Sequence, residues 1–321
     1  MSWIALILTL LIEQVRATPQ ANPVYSGATA WADEVARNLN AGKPRHGAYG
    51  WVLVVGAGVV LSLLVFEVAR SWSWFGGLAV DVFVLFFTLG FRQFSHPTTL
   101  IQRALEQGNP EEARRVFIEW RRSTDPDFDP AELNETEIAR QSIEHGLLAS
   151  HRHVFGVLFW FVILPGPSGA ALYRLSEYLF RHWNRPPPER EAGIPPDQFG
   201  RFAQQAYAWI DWLPARLNAI GFAIVGDFEG ALYCWRQLNV ETRPDVTTGR
   251  LVIIAAASGA MGIRAFSAAD AARYFDAAAL EGAGLAEPGP EALRSAVGLA
   301  WRAMVLWLVL LLLLSVASSL A

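Results

Sequence analysis

The ionisable residues that border or interrupt apolar runs are the ones placed to do chemistry. Glu144, His145, His151, Arg152 and His153 form a polar approach to the apolar run 154–164. Glu13 closes an apolar N-terminal run, and Asp81 lies inside another. Arg174 follows the Pro165-Gly166-Pro167 interruption, while Asp211 and Arg216 flank Pro214. Histidines that share a zinc ion from one helix are spaced i, i+4. His151 and His153 are two apart and His145 is six before His151, so no metal site is expected. Ionisable groups at membrane depth are costly unless they are paired or in use. Glu13, Asp81, Glu144, His151, His153, Arg174, Asp211 and Arg216 therefore make up the candidate polar cluster. Two readings stay open for it: mutual neutralisation inside a helical bundle, or a site for an anionic ligand. An arginine beside a helix break can fork onto a carboxylate or phosphate. The expected place for such a ligand is where the break at 165–167 meets residues 211–216. No Walker or dinucleotide loop and no GxSxG elbow is present. The one cysteine, Cys234, excludes an internal disulfide.

The elements that must position these residues are helices in a bilayer. Hydrophobic residues make up 53% of the 321, and the 13 tryptophans suit membrane interfaces. Residues 2–12 predict a short membrane-embedded helix. Residues 49–69 and 74–91 predict a transmembrane hairpin, with Lys43 and Arg45 marking its cytoplasmic side. Residues 154–175 predict a helix broken at its two prolines, since neither can donate an N–H. Its halves together match a hydrocarbon core of ~30 Å. Residues 297–320 predict a final span.

The remaining segments are expected to be soluble helical insertions at 94–150 and 185–290. Asn109 with Pro110 opens one helix and Asn134 with Glu137 opens another in capping-box spacing. The acidic run 125–129 reads as a plain turn, and residues 185–197 as a Pro-rich connector. Pro214 is expected to split a helix and leave 218–225 re-entrant, and 251–262 is too short to span. Residues 266–280 predict one further helix. The fold class expected is an all-α, polytopic membrane bundle with broken or re-entrant helices, organised as a single domain over 1–321. Its partner is the lipid bilayer, in a bacterial inner membrane. The net charge of −4 and the lack of a basic stripe exclude nucleic acid.

Two dense blocks carry a family resemblance. Ile143-Glu144, Leu158-Phe159, Gly169-Ala170, Tyr173-Arg174 and Pro214-Ala215-Arg216-Leu217 resemble the frame of the CobD/CbiB and AmpE superfamily of membrane proteins. One branch is adenosylcobinamide-phosphate synthase, which forms an amide between a corrin carboxyl and an aminopropanol moiety using ATP. The other is AmpE, linked to β-lactamase signalling. Asp211-Trp212, Pro214, Arg216-Leu217, Gly226, Glu229, Ala231 and Trp235 resemble the AmpE side, as do Leu158-Phe159-Trp160 and Glu13. The synthase branch's polar groups would fall on Leu148, Ala149, Arg152, residues 177–180, Ala208 and Trp209. The resemblance thus implies a non-catalytic, AmpE-like regulator without a cofactor, acting on an unknown membrane or cytoplasmic protein. The alternative it implies is the amide-forming synthase of cobalamin assembly, with ATP and magnesium and with relocated catalytic groups.

Overall fold

The structure is a computed structural model that describes residues 2–15, 23–40, 43–125, 128–130, 133–185, 198–240 and 243–320. The Pro-rich connector and the middle of the acidic turn lie outside the described residues. The helices are α1 (Ser2–Val15), α2 (Pro23–Leu39), α3 (Pro44–Trp51), α4 (Ala57–Trp72), α5 (Trp74–Thr88), α6 (Phe91–Glu106), α7 (Pro110–Thr124) and α8 (Glu135–Ser150). They continue as α9 (Gly156–Ile163), α10 (Ser168–Trp183), α11 (Arg201–Val225), α12 (Phe228–Arg236), α13 (Val246–Met261), α14 (Ala268–Tyr274), α15 (Ala277–Gly282) and α16 (Pro290–Leu320). π-Helical turns at Val52–Gly56 and His151–Phe155 join α3 to α4 and α8 to α9. Among the described residues there is no strand, only the isolated bridges Leu238–Phe275 and Ile263–Ala286.

Four helical stretches are long and apolar enough to cross a membrane: Arg45–Trp72, Trp74–Glu106, Glu135–Ile163 and Pro290–Ala317. At 1.5 Å per residue, even 28 residues exceed the hydrocarbon core. The protein is an all-helical membrane protein. Contacts divide it into one unit of Met1–Gly90, Arg152–Pro214 and Pro244–Val246, and a second of Phe91–His151, Ala215–Arg243 and Thr247–Ala321.

In the first unit α1 packs on α5 and α4 pairs with α5. Ser73 closes that hairpin, its Oγ accepting the Gly76 N–H at 3.0 Å. Ala32 and Val35 of α2, Val54 and Val55, Tyr178 and Leu179 of α10, and Ala203 of α11 form one buried core. In the second unit α6 packs on α7, α8 and α16, and α13 is buried along nearly its whole length. A Cβ at Gly259 of α13 would overlap the Gly230 carbonyl of α12, so these two helices meet backbone to backbone.

Several expectations are corrected. The break at 165–167 is present, and Gly166 takes φ +57° there, a conformation that suits a residue without a Cβ. Yet the two halves do not add up to one span. The apolar half belongs to the helix Glu135–Ile163, and α10 packs back on α9 as a hairpin. Arg174, Glu177, Arg181 and His182 make α10 too polar for lipid. Close approach decides the packing. A Cβ at Gly156 would overlap the Tyr173 ring, and one at Gly169 would overlap the Trp160 carbonyl.

Pro214 does not split its helix. Residues 201–225 are one α-helix, and 218–225 continues it rather than forming a separate segment. Proline at 214 deprives the Ile210 carbonyl of its i+4 donor. The Trp160 indole N–H supplies that donor instead, at 3.1 Å. The helix expected at 266–280 is two helices, α14 and α15, interrupted at Phe275. Asn109 and Asn134 do cap, accepting from the N–H of Glu112 at 3.2 Å and of Glu137 at 2.8 Å. The Glu137 carboxylate pairs with Arg140.

Two outcomes follow from this packing. Gly156→Ala and Gly169→Ala should each destabilise the detergent-solubilised protein by ~1–3 kcal/mol in thermal unfolding, as overpacking does. Gly298→Ala, where nothing lies within 4 Å, should stabilise by ~0.5 kcal/mol. Separately, Trp160→Phe should cost ~1–2 kcal/mol by orphaning the Ile210 carbonyl. In a Pro214→Ala background the alanine N–H takes that carbonyl, and the cost should shrink by ~1 kcal/mol in a double-mutant cycle. Equal costs in both backgrounds would refute the substitution of one donor for the other.

Candidate functional site

Among the described residues, Glu177 is the most enclosed carboxylate of the first unit, with 0% of its surface accessible. Residues i, i+3 and i+7 share one helix face, and on α10 these are Arg174, Glu177 and Arg181. The Arg174 guanidinium donates to Glu177 Oε2 at 3.0 Å, and Arg181 Nη2 donates to the same oxygen at 3.0 Å. Arg181 Nε lies 2.5 Å from Oε1. Burial pushes the Glu177 carboxyl upward, but the charges of Arg181, Arg174 and Arg152 more than offset it and hold it below the ordinary value. Glu177 is therefore an anion at neutral pH that holds three cations together.

Beside it, on α10 and α11, sits a second group. The buried Tyr173 hydroxyl donates to Asp211 Oδ1 at 2.7 Å. With that proton committed, the 3.2 Å contact between the Tyr173 and Tyr207 hydroxyls has Tyr207 as donor. Burial first, then the Asp211 charge, pushes both hydroxyls well above their ordinary pKa, and Glu177 adds to the shift at Tyr207. Both stay protonated donors, and Tyr207 senses both carboxylates. Nearby on α10, the His182 Nε2 lies 2.5 Å from Asp33 Oδ1 of α2, and its ring stacks on Tyr178. Chemically this is a fixed array of guanidinium groups with two hydrogen-bonded carboxylates, Glu177 and Asp211, and two neutral phenols.

The second unit holds its own network. Glu144 pairs with Arg250 and, at 3.3 Å, with Arg140. Arg250 also reaches Asp270 at 2.8 Å. Burial would raise the Asp270 carboxyl, but the Arg250 hydrogen bond and charge hold it below its ordinary value. Burial pushes the Cys234 thiol up to about 11, which keeps it a neutral thiol.

The eight residues singled out from the sequence separate as follows. Arg174 and Asp211 join the first unit's array. Glu144 and the half-buried Arg216 belong to the second unit, and burial lowers the Arg216 pKa. Glu13 and Asp81 are buried on α1 and α5, which pack together. His151 is buried and His153 half-buried, in the π-helical turn. Among the described residues no group of three or more His, Cys, Asp or Glu is arranged to hold a metal ion. The sequence reading missed Glu177 as a centre, and with it Arg181, Tyr173, Tyr207, Arg250 and Asp270. Glu177 had a legible signal in the Arg-x2-Glu-x3-Arg spacing of α10. The Tyr173–Asp211 bond spans 38 residues of sequence and had none.

The known proteins can be set beside this geometry. The family pattern described as CobD/Cbib protein matches residues 2–300. The chain belongs to that family. It is 29% identical over 317 residues to the cobalamin biosynthesis protein CobD of Stutzerimonas stutzeri (strain A1501), covering 97% of each chain. It is 32% identical over 197 residues to the cobalamin biosynthesis protein CobD of Chromobacterium violaceum, covering 61% of this chain and 57% of that one. No solved structure matches it. These relatives overturn the expectation of a non-catalytic, AmpE-like regulator with a signalling role. Both carry the name of the branch that stood as the alternative.

The charge balance at Glu177 sets a pH dependence. A carboxyl whose folded pKa lies below its ordinary 4.5 contributes stability that is present above that value. That contribution is lost as pH falls through the folded pKa. Thermal unfolding between pH 7 and pH 3 should show a fall below about pH 4.5. Glu177→Gln should cost ~3–5 kcal/mol at pH 7, because it leaves buried guanidinium charge uncompensated. It should also flatten the acid limb, and an unchanged limb would show that Glu177 is not the group responsible.

Proposed function

We propose that this protein acts in cobalamin biosynthesis, in a bacterial inner membrane, as an amide-forming synthase of the adenosylcobinamide-phosphate type. The observation that carries this reading is the end-to-end similarity to a cobalamin biosynthesis protein CobD, over 97% of both chains. The site's chemistry supports it. An ATP-dependent ligation moves phosphoryl charge, and guanidinium groups fork onto phosphate oxygens in a way that ammonium groups do not. Arg152 and Arg181, kept together by Glu177, are the residues that would hold the phosphates of ATP. Asp211 is the carboxylate that would meet magnesium, an ion usually held by one or two carboxylates plus phosphate oxygens. ATP would supply the phosphoryl group that activates the corrin carboxyl, with phosphate leaving as the amide forms, and the chain's own task is to orient these anions while the Tyr173 hydroxyl donates to Asp211.

Carboxylates missing from the expected positions stand one helical turn away. Glu144 precedes Leu148 by four residues, and Asp211 follows Ala208 by three, which keeps each on the same helix face. Ala208 and Asp211 are both buried. A one-turn offset moves a group by about 5 Å along the helix axis. At Asp211 that offset is how the chain would run the family's chemistry without the acids at 208–209.

Expression in a strain lacking the amide-forming synthase should restore growth that depends on cobalamin made from cobyric acid. Asp211→Asn should lower the rate of amide formation by about tenfold or more, the loss expected for one charged hydrogen bond. Failure of the wild-type protein to restore growth, while present in the membrane at normal amounts, would overturn the reading.

A further inference from the structure

Buried hydroxyls on the helices of this protein follow one habit, and Ser142 departs from it. Thr9, Thr98, Ser150 and Ser176 each donate to the carbonyl three or four residues earlier, at 2.7 Å. Such back-bonding is the ordinary way for a helical hydroxyl to be satisfied away from water. Ser142 of α8 has 0% of its surface accessible, and its Oγ has no hydrogen-bond partner among the described residues. A hydroxyl left dry and unpaired is costly to bury. Ser142 lines a cavity of about 10 Å³ in the second unit, where α6, α8 and α16 pack on one another. The other hydroxyl in the wall is Thr98 of α6, among apolar residues such as Phe94, Leu147 and Ala300. Gly146, one turn after Ser142, faces that hydroxyl: a Cβ there would stand 3.3 Å from Thr98 Oγ1. Thr98 commits its proton to the Phe94 carbonyl, so toward the cavity its oxygen can only accept.

We propose that this cavity binds one structural water, held between Ser142 Oγ and Thr98 Oγ1. Its volume is about what a single water needs, and two polar partners meet the lower bound of that water's bonding. The donor balance closes. Water donates one proton to Thr98 Oγ1 and shares its other bond with Ser142, which can donate or accept. A cation is not suited to the place, because both hydroxyls are neutral and no carboxylate lines the cavity. An apolar occupant would leave Ser142 unsatisfied. All three helices belong to stretches long and apolar enough to cross a membrane. In such surroundings a polar group must find its partner inside the protein. The water thus ties α6 to α8 through their side chains. The site takes no part in the proposed ligation, and its occupancy can be read without any activity.

The test uses the full chain in detergent. A crystal structure at a resolution that shows ordered water should have density within hydrogen-bond distance of both Ser142 Oγ and Thr98 Oγ1. Thermal unfolding supplies an independent sign. With the water in place, Ser142→Ala removes one of its two partners and should lower the Tm by about 2 °C, the worth of one hydrogen bond in a chain of this size. In a dry cavity the same change removes an unsatisfied polar group and should raise the Tm. Thr98→Val should also lower the Tm, and the double variant should lower it no further than Thr98→Val alone, because either change releases the same water. A Tm raised or unmoved by Ser142→Ala would overturn the proposal, as would shifts that add in the double variant. Should a variant fail to fold, the wild-type density decides. An empty cavity there, or Ser142 Oγ back-bonded to the Ile138 or Ala139 carbonyl, would refute the water.

Discussion

A carboxylate with no access to solvent is tolerable only where opposite charge surrounds it, and Glu177 sets that condition for the first unit. Its removal from water would cost several kcal/mol if it stood alone. Arg174, Arg181 and Arg152 compensate it, and the compensation works only in one arrangement. α10 must face inward along its Arg174–Glu177–Arg181 stripe. The turn before it must bring α10 back onto α9. The break at 165–167 therefore matters less as an interruption of a span than as the hinge that makes this return possible.

The return is held by contacts that polar chemistry alone would not produce. Gly156 and Gly169 let the two helices meet at backbone distance, the first against the Tyr173 ring and the second against the Trp160 carbonyl. The same Tyr173 then reaches Asp211, and the same Trp160 supplies the donor that Pro214 takes away. Two residues of the α9–α10 hairpin thus connect its packing to α11. A change at either glycine would be felt at the carboxylate without touching it.

The second unit follows the same physics with different partners. Glu144, Arg250, Asp270 and Arg140 form a chain of alternating charge, anchored on α8, α13 and α14. Each member would be costly without its neighbours. Single charges in apolar surroundings are the expensive case, and neither unit's principal carboxylate, Glu177 or Glu144, stands as one.

Much of the fold was legible in one dimension, because membrane helices announce themselves by length and hydropathy. The hairpin over 49–91, the terminal span, the two asparagine caps and the interruption at 165–167 all follow from local residue types. The branch of the family did not. The AmpE-like reading rested on matches such as Asp211-Trp212 and Glu13 and on acids absent from aligned positions, yet a helix carries a group at i+3 or i−4 on the same face, and Asp211 and Glu144 stand one turn from those positions. Partners far apart in sequence were also hidden: nothing local ties Tyr173 to Asp211, Arg250 to Glu144 or Trp160 to Ile210. What the sequence by itself determined is which segments must leave water and where helices must stop. Only the tertiary structure decided that Pro214 stops nothing and that α10 turns back on α9. Only it decided that Glu177 holds the arginines, because compensation of a lost hydrogen bond or a buried charge depends on which groups meet in space.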